Sequence, residues 1–477
     1  MDDGSLDLRY KTCLATLRER NQEHVLRWWD DLTTGERSQL LEDIESIPWD
    51  TVDPLCHASP SPQSDSPQPG ELTPPNVYPH RPTRDLERLY VEAAELGRQI
   101  IRDGKVAAFT VAGGQGTRLG FEGPKGAVTV SPVREKTLFQ LFAEMIRAVR
   151  TRYEVGVPWY IMTNPANHEQ TVGFLKDHDY FGIPESDIVL FSQAMLPTFD
   201  FQGRMLLEDK HRLALAPDGH GGSLKALVQC GALDDLKARG IEVISYFQVD
   251  NPLVKPFDPL FIGLHAKTES EMSTKVASKT HDLERVGNVC VQNGSVVVIE
   301  YSNFPEELAH EVNSDGSRKF DVGNLAIHLL DVSFLDRIIA QRFELPYHRA
   351  KKTVTWMDEK GFLRTPGKPN AVKLETFVFD AIPHARNPLL LEVDRAEEFS
   401  PVKNAKGEDS VETAVRHQIC RAVRWLEAAG VEIPRKPDGE PDITIEIAAA
   451  YALEAEDVKR HVSSSLTLRD AETIYLS

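Results

Sequence analysis

Cysteine is scarce in this chain, with five in 477 residues. Cys13, Cys56, Cys230, Cys290 and Cys420 lie far apart, in no CxxC or Cys/His ligand spacing. That excludes a disulfide framework and a zinc-finger-like site and leaves reduced thiols, the expectation for a cytoplasmic protein. Long hydrophobic runs are missing too, since nothing approaches the roughly 18 apolar residues of a membrane span. The start, MDDGSLDLRYK, has neither the basic nor the apolar region of a signal peptide. Positive charge is in short supply: 54 basic against 73 acidic residues give a formal net charge of −19. A chain so acidic repels polyanions, so neither nucleic acid nor a membrane surface is an expected partner. Any phosphate site must be a local cluster of cations.

What is present is ordinary globular composition, 41% hydrophobic and 27% charged, with enough chain for two or three domains. Residues 1–55 carry apolar residues at three- and four-residue spacing and predict two or three helices. Residues 56–85, rich in Pro and Ser, predict an extended linker. From residue 105 short apolar runs alternate with helical periodicity. KVAAFTVAG, WYIMT at 159–163, DIVLFSQ at 187–193 and EVISYFQVDN at 242–251 read as strands. The segments 137–150, with Thr137 as N-cap, 167–178 and 223–240 read as helices. This alternation implies an α/β fold around a mostly parallel sheet, with ligands beyond the carboxyl ends of its strands. Residues 270–330 turn strand-rich, with a hairpin signal at Asn293-Gly294. The catalytic domain is placed at 86–385 and a small C-terminal domain, with a helix at about 411–429, at 386–477. No internal repeat is present.

One strand runs into VAGGQGTRLGFEGPKG, residues 111–126. It fails the Walker template, because Lys125 follows Pro124 and precedes Gly126 with no hydroxyl residue after it. It also misses the dinucleotide fingerprint, since after Gly114 and Gly116 the next glycine, Gly120, comes one residue late. Its glycines still let the backbone approach a ligand, and its N–H groups, with Arg118 and Lys125, suit anionic oxygens.

The order AGGQGTRLG…PKG, FSQAMLP at 191–197, APDGHGG at 216–222, VDN at 249–251, IEYS at 299–302, Gly323-Asn324, PNAVKLETFVFD at 369–380 and EFSPVKNA at 398–405 resembles the eukaryotic-type UDP-N-acetylhexosamine pyrophosphorylases of the UDP-sugar pyrophosphorylase family. The match runs from about residue 85 to 430. The resemblance implies a Rossmann-like nucleotidyltransferase domain, similar to the GT-A fold, with a mixed sheet flanked by a helical N-terminal region and a small C-terminal domain. It implies Mg²⁺-dependent uridylyl transfer, in which UTP and a sugar 1-phosphate give UDP-sugar and pyrophosphate.

Such chemistry is mostly charge neutralisation and in-line positioning. The resemblance assigns Arg118, Lys125 and Lys403 to catalysis, with the first two on the departing pyrophosphate. Nucleotide contacts fall to Val111, Ala112, Gly113, Gly114, Lys125, Gln193, Gly219, Asp250 and Lys373. Asp250, at the end of a predicted strand, is the expected Mg²⁺ ligand; one carboxylate suffices for an ion that keeps waters and takes phosphate oxygens. Gln193 offers an amide donor and an acceptor, which suits O4 and N3–H of uracil read together. His220, Glu300, Tyr301, Asn324 and Lys403 are the expected sugar contacts.

The departures concern the sugar. The N-acetylhexosamine enzymes usually read DGNGG where this chain reads Asp218-Gly-His-Gly-Gly222; Ile327 replaces a polar residue of the family's pattern, and FQQGM becomes FSQAM. His220 resembles the PPGHGD loop of UDP-glucose pyrophosphorylases. The leading expectation is therefore UDP-N-acetylglucosamine synthesis, with glucose 1-phosphate or galactose 1-phosphate as the alternative sugar. A non-enzymatic nucleotide-sugar sensor is the alternative of another class, against which stand the retained Arg118, Lys125, Asp250 and Lys403.

Overall fold

β-branched and aromatic runs supply the strands of the central sheet, seen in a computed structural model that describes residues 3–56, 71–341, 343–463 and 466–477. Contacts divide the chain into two units. One comprises the described residues of Met1–Gly70 with Gln193–Ser223 and Glu344–Asp380, the other Glu71–Ser192, Leu224–Phe343 and Ala381–Ser477. The division follows packing rather than chain order.

The larger unit is built on a ten-stranded sheet. Its strands, in chain order, are β1 (Leu72–Thr73), β2 (Val106–Val111), β3 (Trp159–Thr163), β4 (Ile188–Ser192), β5 (Val243–Gln248), β6 (Met272–Ser278), β7 (Gly287–Gln292), β8 (Ser295–Ile299), β9 (Val322–Asp331) and β10 (Leu389–Glu392). The run β5-β2-β3-β4 is parallel, as the alternating pattern predicts. β2 and β3 are buried at every position, as expected for strands covered on both faces. The strand-rich segment then makes the sheet mixed, because β9 pairs antiparallel with β5, β6 and β7. β7 and β8 form the hairpin expected at Asn293-Gly294, with Gln292 facing Ser295 across it.

The helix predicted at 137–150 spans Leu138–Tyr153, and the Thr137 hydroxyl caps it by accepting from Gln140 N–H at 3.2 Å. The helix expected over 223–240 is instead two, Gly222–Gln229 and Ala232–Ala238. Gly231 parts them with φ of +78°, a left-handed turn that a continuous α-helix cannot contain. The predicted linker falls partly outside the described residues. Beyond it, β1 pairs with β7, and Tyr78 exchanges hydrogen bonds with Leu390 and Glu392 beside β10. Leu389–Glu392 lies in the central sheet, and the helix Val411–Ala428 begins in the core of that sheet, where Ala414 is buried, before Ala422, Val423, Trp425 and Leu426 pack in a separate apolar cluster with the parallel pair Ile443–Ile447 and Glu472–Leu476.

In the smaller unit the helices Asp3–Glu19 and Thr34–Glu45 bury Leu17, Leu40, Leu41 and Ile44 in one cluster with Leu196, Met205, Leu213 and Leu374. A three-stranded sheet, His348–Lys352, Ala371–Glu375 and Phe199–Asp200, completes it. Among the described residues no helix is long and apolar enough to cross a membrane.

Candidate active site

In the larger unit β2 ends at Val111, and the carbonyls of Val111 to Gly114, the first part of the glycine loop, are each claimed by a neighbouring donor. Val111 O accepts from Val249 N–H at 3.0 Å and Gly114 O from Lys125 N–H at 3.1 Å. The Asn167 amide donates to Ala112 O at 2.9 Å and Gly114 O at 3.3 Å, and the Asn164 amide donates to Gly113 O. Among the described residues the N–H groups of Gly113 and Gly114 donate to nothing, so this first stretch of the loop presents donors alone, the arrangement of an anion nest. Gly120 closes the single turn Thr117–Leu119 with φ of +75°, in the left-handed region. The late glycine of the sequence is thus a turn residue that sends the chain back, as Gly116 N–H donating to Gly123 O at 2.9 Å shows. Lys125 thereby lies against Gly114, while Arg118 is exposed and in no ion pair among the described residues.

Asp250 follows β5, the neighbour of β2. Its carboxylate stands 3.8 Å from Lys125 Nζ, both side chains being about one-fifth exposed (19% and 17%). The Asp250 carbonyl accepts from Val402 N–H at 2.8 Å, and the Asn251 amide spans to Glu398 O at 2.7 Å and Ser400 N–H at 3.0 Å. These bonds lay the EFSPVK segment along the Asp250-Asn251 turn. Lys403, at its end, pairs with Asp409 at 3.6 Å. Burial raises the Asp409 carboxyl above its ordinary range, against the pull of Lys403. Beneath, fully buried Lys275 lies between Asp258, at 2.7 Å, and Glu398, at 2.5 Å.

Asn324 of β9 and Glu300, just past β8, flank Gly287. A Cβ on Gly287 would sit 3.7 Å from Asn324 Cβ and 3.9 Å from a Glu300 carboxylate oxygen. Asn324 Oδ1 accepts from Ala326 N–H at 3.0 Å, where β9 is irregular and Ala326 has φ of +56°. This leaves the Asn324 Nδ2 group to donate. Tyr301 is 46% exposed.

In the smaller unit a short ladder pairs Met195–Pro197 with Leu215–Pro217 and continues through Asp218 N–H to Ala194 O at 3.2 Å. Gln193 therefore lies opposite Asp218 and Gly219. Its Nε2 donates to Asp218 Oδ1 at 2.9 Å and Gly219 O at 3.2 Å, so the donor half of the amide expected to read O4 is already engaged. His220 stacks on Phe377 with centroids 5.3 Å apart, and its Nδ1 accepts from Val378 N–H at 3.2 Å, which puts the ring proton on Nε2. Burial, with a smaller contribution from His348, lowers its pKa to about 4, so the ring is neutral near pH 7. Lys373 is half-buried in the strand Ala371–Glu375.

Each unit thus gathers its own expected residues: Val111 to Gly114, Lys125 and Asp250, and Glu300 with Asn324, in the larger; Gln193, Gly219 and His220 in the smaller. Residues 71–423 match the family model described as UTP–glucose-1-phosphate uridylyltransferase. The chain belongs to that family. Among curated proteins, the chain is 36% identical over 489 aligned positions to the mouse UDP-N-acetylhexosamine pyrophosphorylase-like protein 1, covering 96% of this chain and 95% of that one. It is 33% identical to the UDP-N-acetylglucosamine pyrophosphorylase of Saccharomyces cerevisiae, covering 93% and 95%. The solved uridine diphosphate N-acetylglucosamine pyrophosphorylase of Trypanosoma brucei superposes with a TM-score of 0.80 at 24% identity, over 98% of each chain, a likeness of fold. The protein is accordingly an enzyme of the uridylyltransferase class.

Three residues with evident work at these sites were not singled out from the sequence. Asn164 and Asn167 hold the loop carbonyls, and Asp218 holds Gln193. TNPAN after a strand is the one signal for the first two, since Asn side chains readily bond nearby backbone.

Proposed function

We propose that the protein transfers uridylyl from UTP to N-acetylglucosamine 1-phosphate, giving UDP-N-acetylglucosamine and pyrophosphate. The observation that carries the reading is the donor-only loop beside Lys125 and Asp250, which suits a polyphosphate; the names of the relatives favour the N-acetylated sugar. A sugar phosphate oxygen forms a bond to the α-phosphorus as the bond to the β-phosphate oxygen breaks, and the electron pair leaves on pyrophosphate. Arg118 and Lys125 take up the charge on that leaving group, and Lys403 neutralises the attacking sugar phosphate. The open N–H groups of Gly113 and Gly114 and the backbone of Val111, Ala112 and Gly219 are nucleotide contacts; Gln193 reads uracil and Lys373 reaches the nucleotide phosphates.

Asp250 suits Mg²⁺: it is a hard oxygen donor with part of its carboxylate exposed, and no group of three or more ligating side chains competes among the described residues. Mg²⁺ held there supplies charge neutralisation at phosphate oxygens. Glu300 and Tyr301 suit sugar hydroxyls and Asn324 Nδ2 the acyl carbonyl. His220, a neutral Nε2–H donor, favours a second reading in which the hexose is glucose or galactose. A cytoplasmic setting suits four described cysteines that are all free thiols. The transfer is tested with UTP labelled at the α- or the γ-phosphate: α-label must enter the UDP-sugar and γ-label the pyrophosphate, and γ-label in a sugar product contradicts the proposal.

A further inference from the structure

A glutamine beside a pyrimidine can present either its carbonyl or its NH₂ group, and the two choices select opposite bases. Uracil has a hydrogen on N3; cytosine has a lone pair there. Which face Gln193 offers is decided by its neighbours, and both are acceptors: the Asp218 carboxylate at 2.9 Å and the Gly219 carbonyl at 3.2 Å. An amide oxygen facing two acceptors would be repelled by both, so the NH₂ group must point inward. Gln193 is 5% exposed, and among the described residues its Oε1 accepts no hydrogen bond.

Asp218 cannot readily give up this position. It is 3% exposed; its backbone carbonyl accepts from Thr376 N–H at 2.7 Å and Thr376 Oγ1 at 2.8 Å. Its carboxylate also occupies the space over Gly222 that any side chain there would need, 2.0 Å from a Cβ built on that glycine. The strand ladder that aligns Ala194 with Asp218 fixes the distance to Gln193.

We infer that Asp218 is the positioning residue for nucleotide choice: by holding the Gln193 NH₂ group it turns Oε1 toward the base, where it accepts from uracil N3–H and repels cytosine N3. The inference rests on the proposed role of Gln193 at the base. It narrows that role, since one acceptor, rather than a donor and acceptor together, makes the distinction. A site built around one directional hydrogen bond rejects the base that cannot make it by far more than a shape difference would.

The test compares kcat/KM for UTP and CTP with the sugar phosphate held constant. The unaltered enzyme is expected to favour UTP by at least about a hundredfold. Asp218→Asn, which can offer either an acceptor or a donor to the amide, is expected to narrow that ratio at least about tenfold. A merely structural defect lowers both values and leaves the ratio unchanged, which overturns the inference. In a Gln193→Leu background the Asp218 substitution is expected to have no further effect on the ratio; an additive effect overturns it. Should Asp218→Asn not fold, the unaltered enzyme decides with 3-methyl-UTP, which lacks the N3 hydrogen. Turnover at least about a hundredfold below UTP supports the inference, and turnover equal to UTP overturns it. Failure of the unaltered enzyme on UTP itself counts against the proposed reaction instead.

Discussion

Lys125 and Asp250 come from different segments, a loop after one strand and the end of its parallel neighbour, and stand 3.8 Å apart, Nζ to Oδ2. On the proposed reading, Lys125 would exchange this carboxylate for a phosphate and Asp250 this cation for a metal ion. Asp250→Ala and Lys125→Ala are each expected to lower kcat by at least about a hundredfold while the circular dichroism spectrum is unchanged. Near-normal kinetics in either variant removes that residue from the mechanism.

The two asparagines that claim the loop carbonyls act on the loop's shape. Asn167→Ala takes the donor from Ala112 O and the acceptor from Asn164 N–H, while Gly114 O keeps Lys125 N–H, so a stability loss of about 1–3 kcal/mol is expected from denaturant unfolding. A KM for UTP raised about tenfold is also expected, because the Gly113 and Gly114 donors lose their setting. An unchanged KM would mean that the loop holds its form without Asn167.

Lys275 is fully buried with Asp258 and Glu398 on either side. Burial alone would lower its pKa, but the two carboxylates raise it, so it is a cation throughout the physiological range. Lys275→Met removes that charge and leaves two acids facing each other. A loss of about 3–5 kcal/mol is expected at neutral pH, measured by chemical denaturation. The loss should shrink in mild acid, because burial pushes the Asp258 carboxyl up and Lys275 helps to hold it below its ordinary range, so that it can take up a proton once that cation is gone; a loss that grows in acid contradicts the account.

His220 has a folded pKa near 4, below the ordinary histidine value, because burial disfavours its charged form. The unfolded chain therefore takes up the proton first as pH falls. The stability attached to this group is complete above the unfolded value and is lost progressively from there down toward pH 4. Replacing it by Asn should flatten the melting temperature over that window, although His24 and His417, also lowered first by burial, keep part of the slope. Because the ring stays neutral, sugar preference should be constant from about pH 5.5 to 8. His220→Asn should move preference toward the N-acetylated sugar; unchanged selectivity would place the determinant elsewhere.

Much of the larger unit was legible because strong local signals coincided with burial. WYIMT at 159–163 is a strand at those residues, and Thr137 caps its helix. Periodicity could not reveal that Gly231 breaks a helix, since a glycine inside a helical pattern is often tolerated. It also could not reveal that residues 193–223 and 344–380 pack with the N-terminal helices, because apolar spacing records which face is buried and not its partner. At the sites, Arg118, Lys125 and Asp250 stood out by charge beside glycine or at a strand end. Asp218, Asn164 and Asn167 act through other residues, and a supporting hydrogen bond leaves no periodic mark.

The central claim is uridylyl transfer to a hexosamine phosphate, and pyrophosphate release measures it most directly. The protein is incubated with UTP, Mg²⁺ and, separately, N-acetylglucosamine 1-phosphate, glucose 1-phosphate and galactose 1-phosphate. Release is expected with all substrates present, with kcat/KM highest for N-acetylglucosamine 1-phosphate and lost on omission of Mg²⁺. A higher value for glucose or galactose 1-phosphate would transfer the assignment to that sugar, and no pyrophosphate with any of the three would contradict the account.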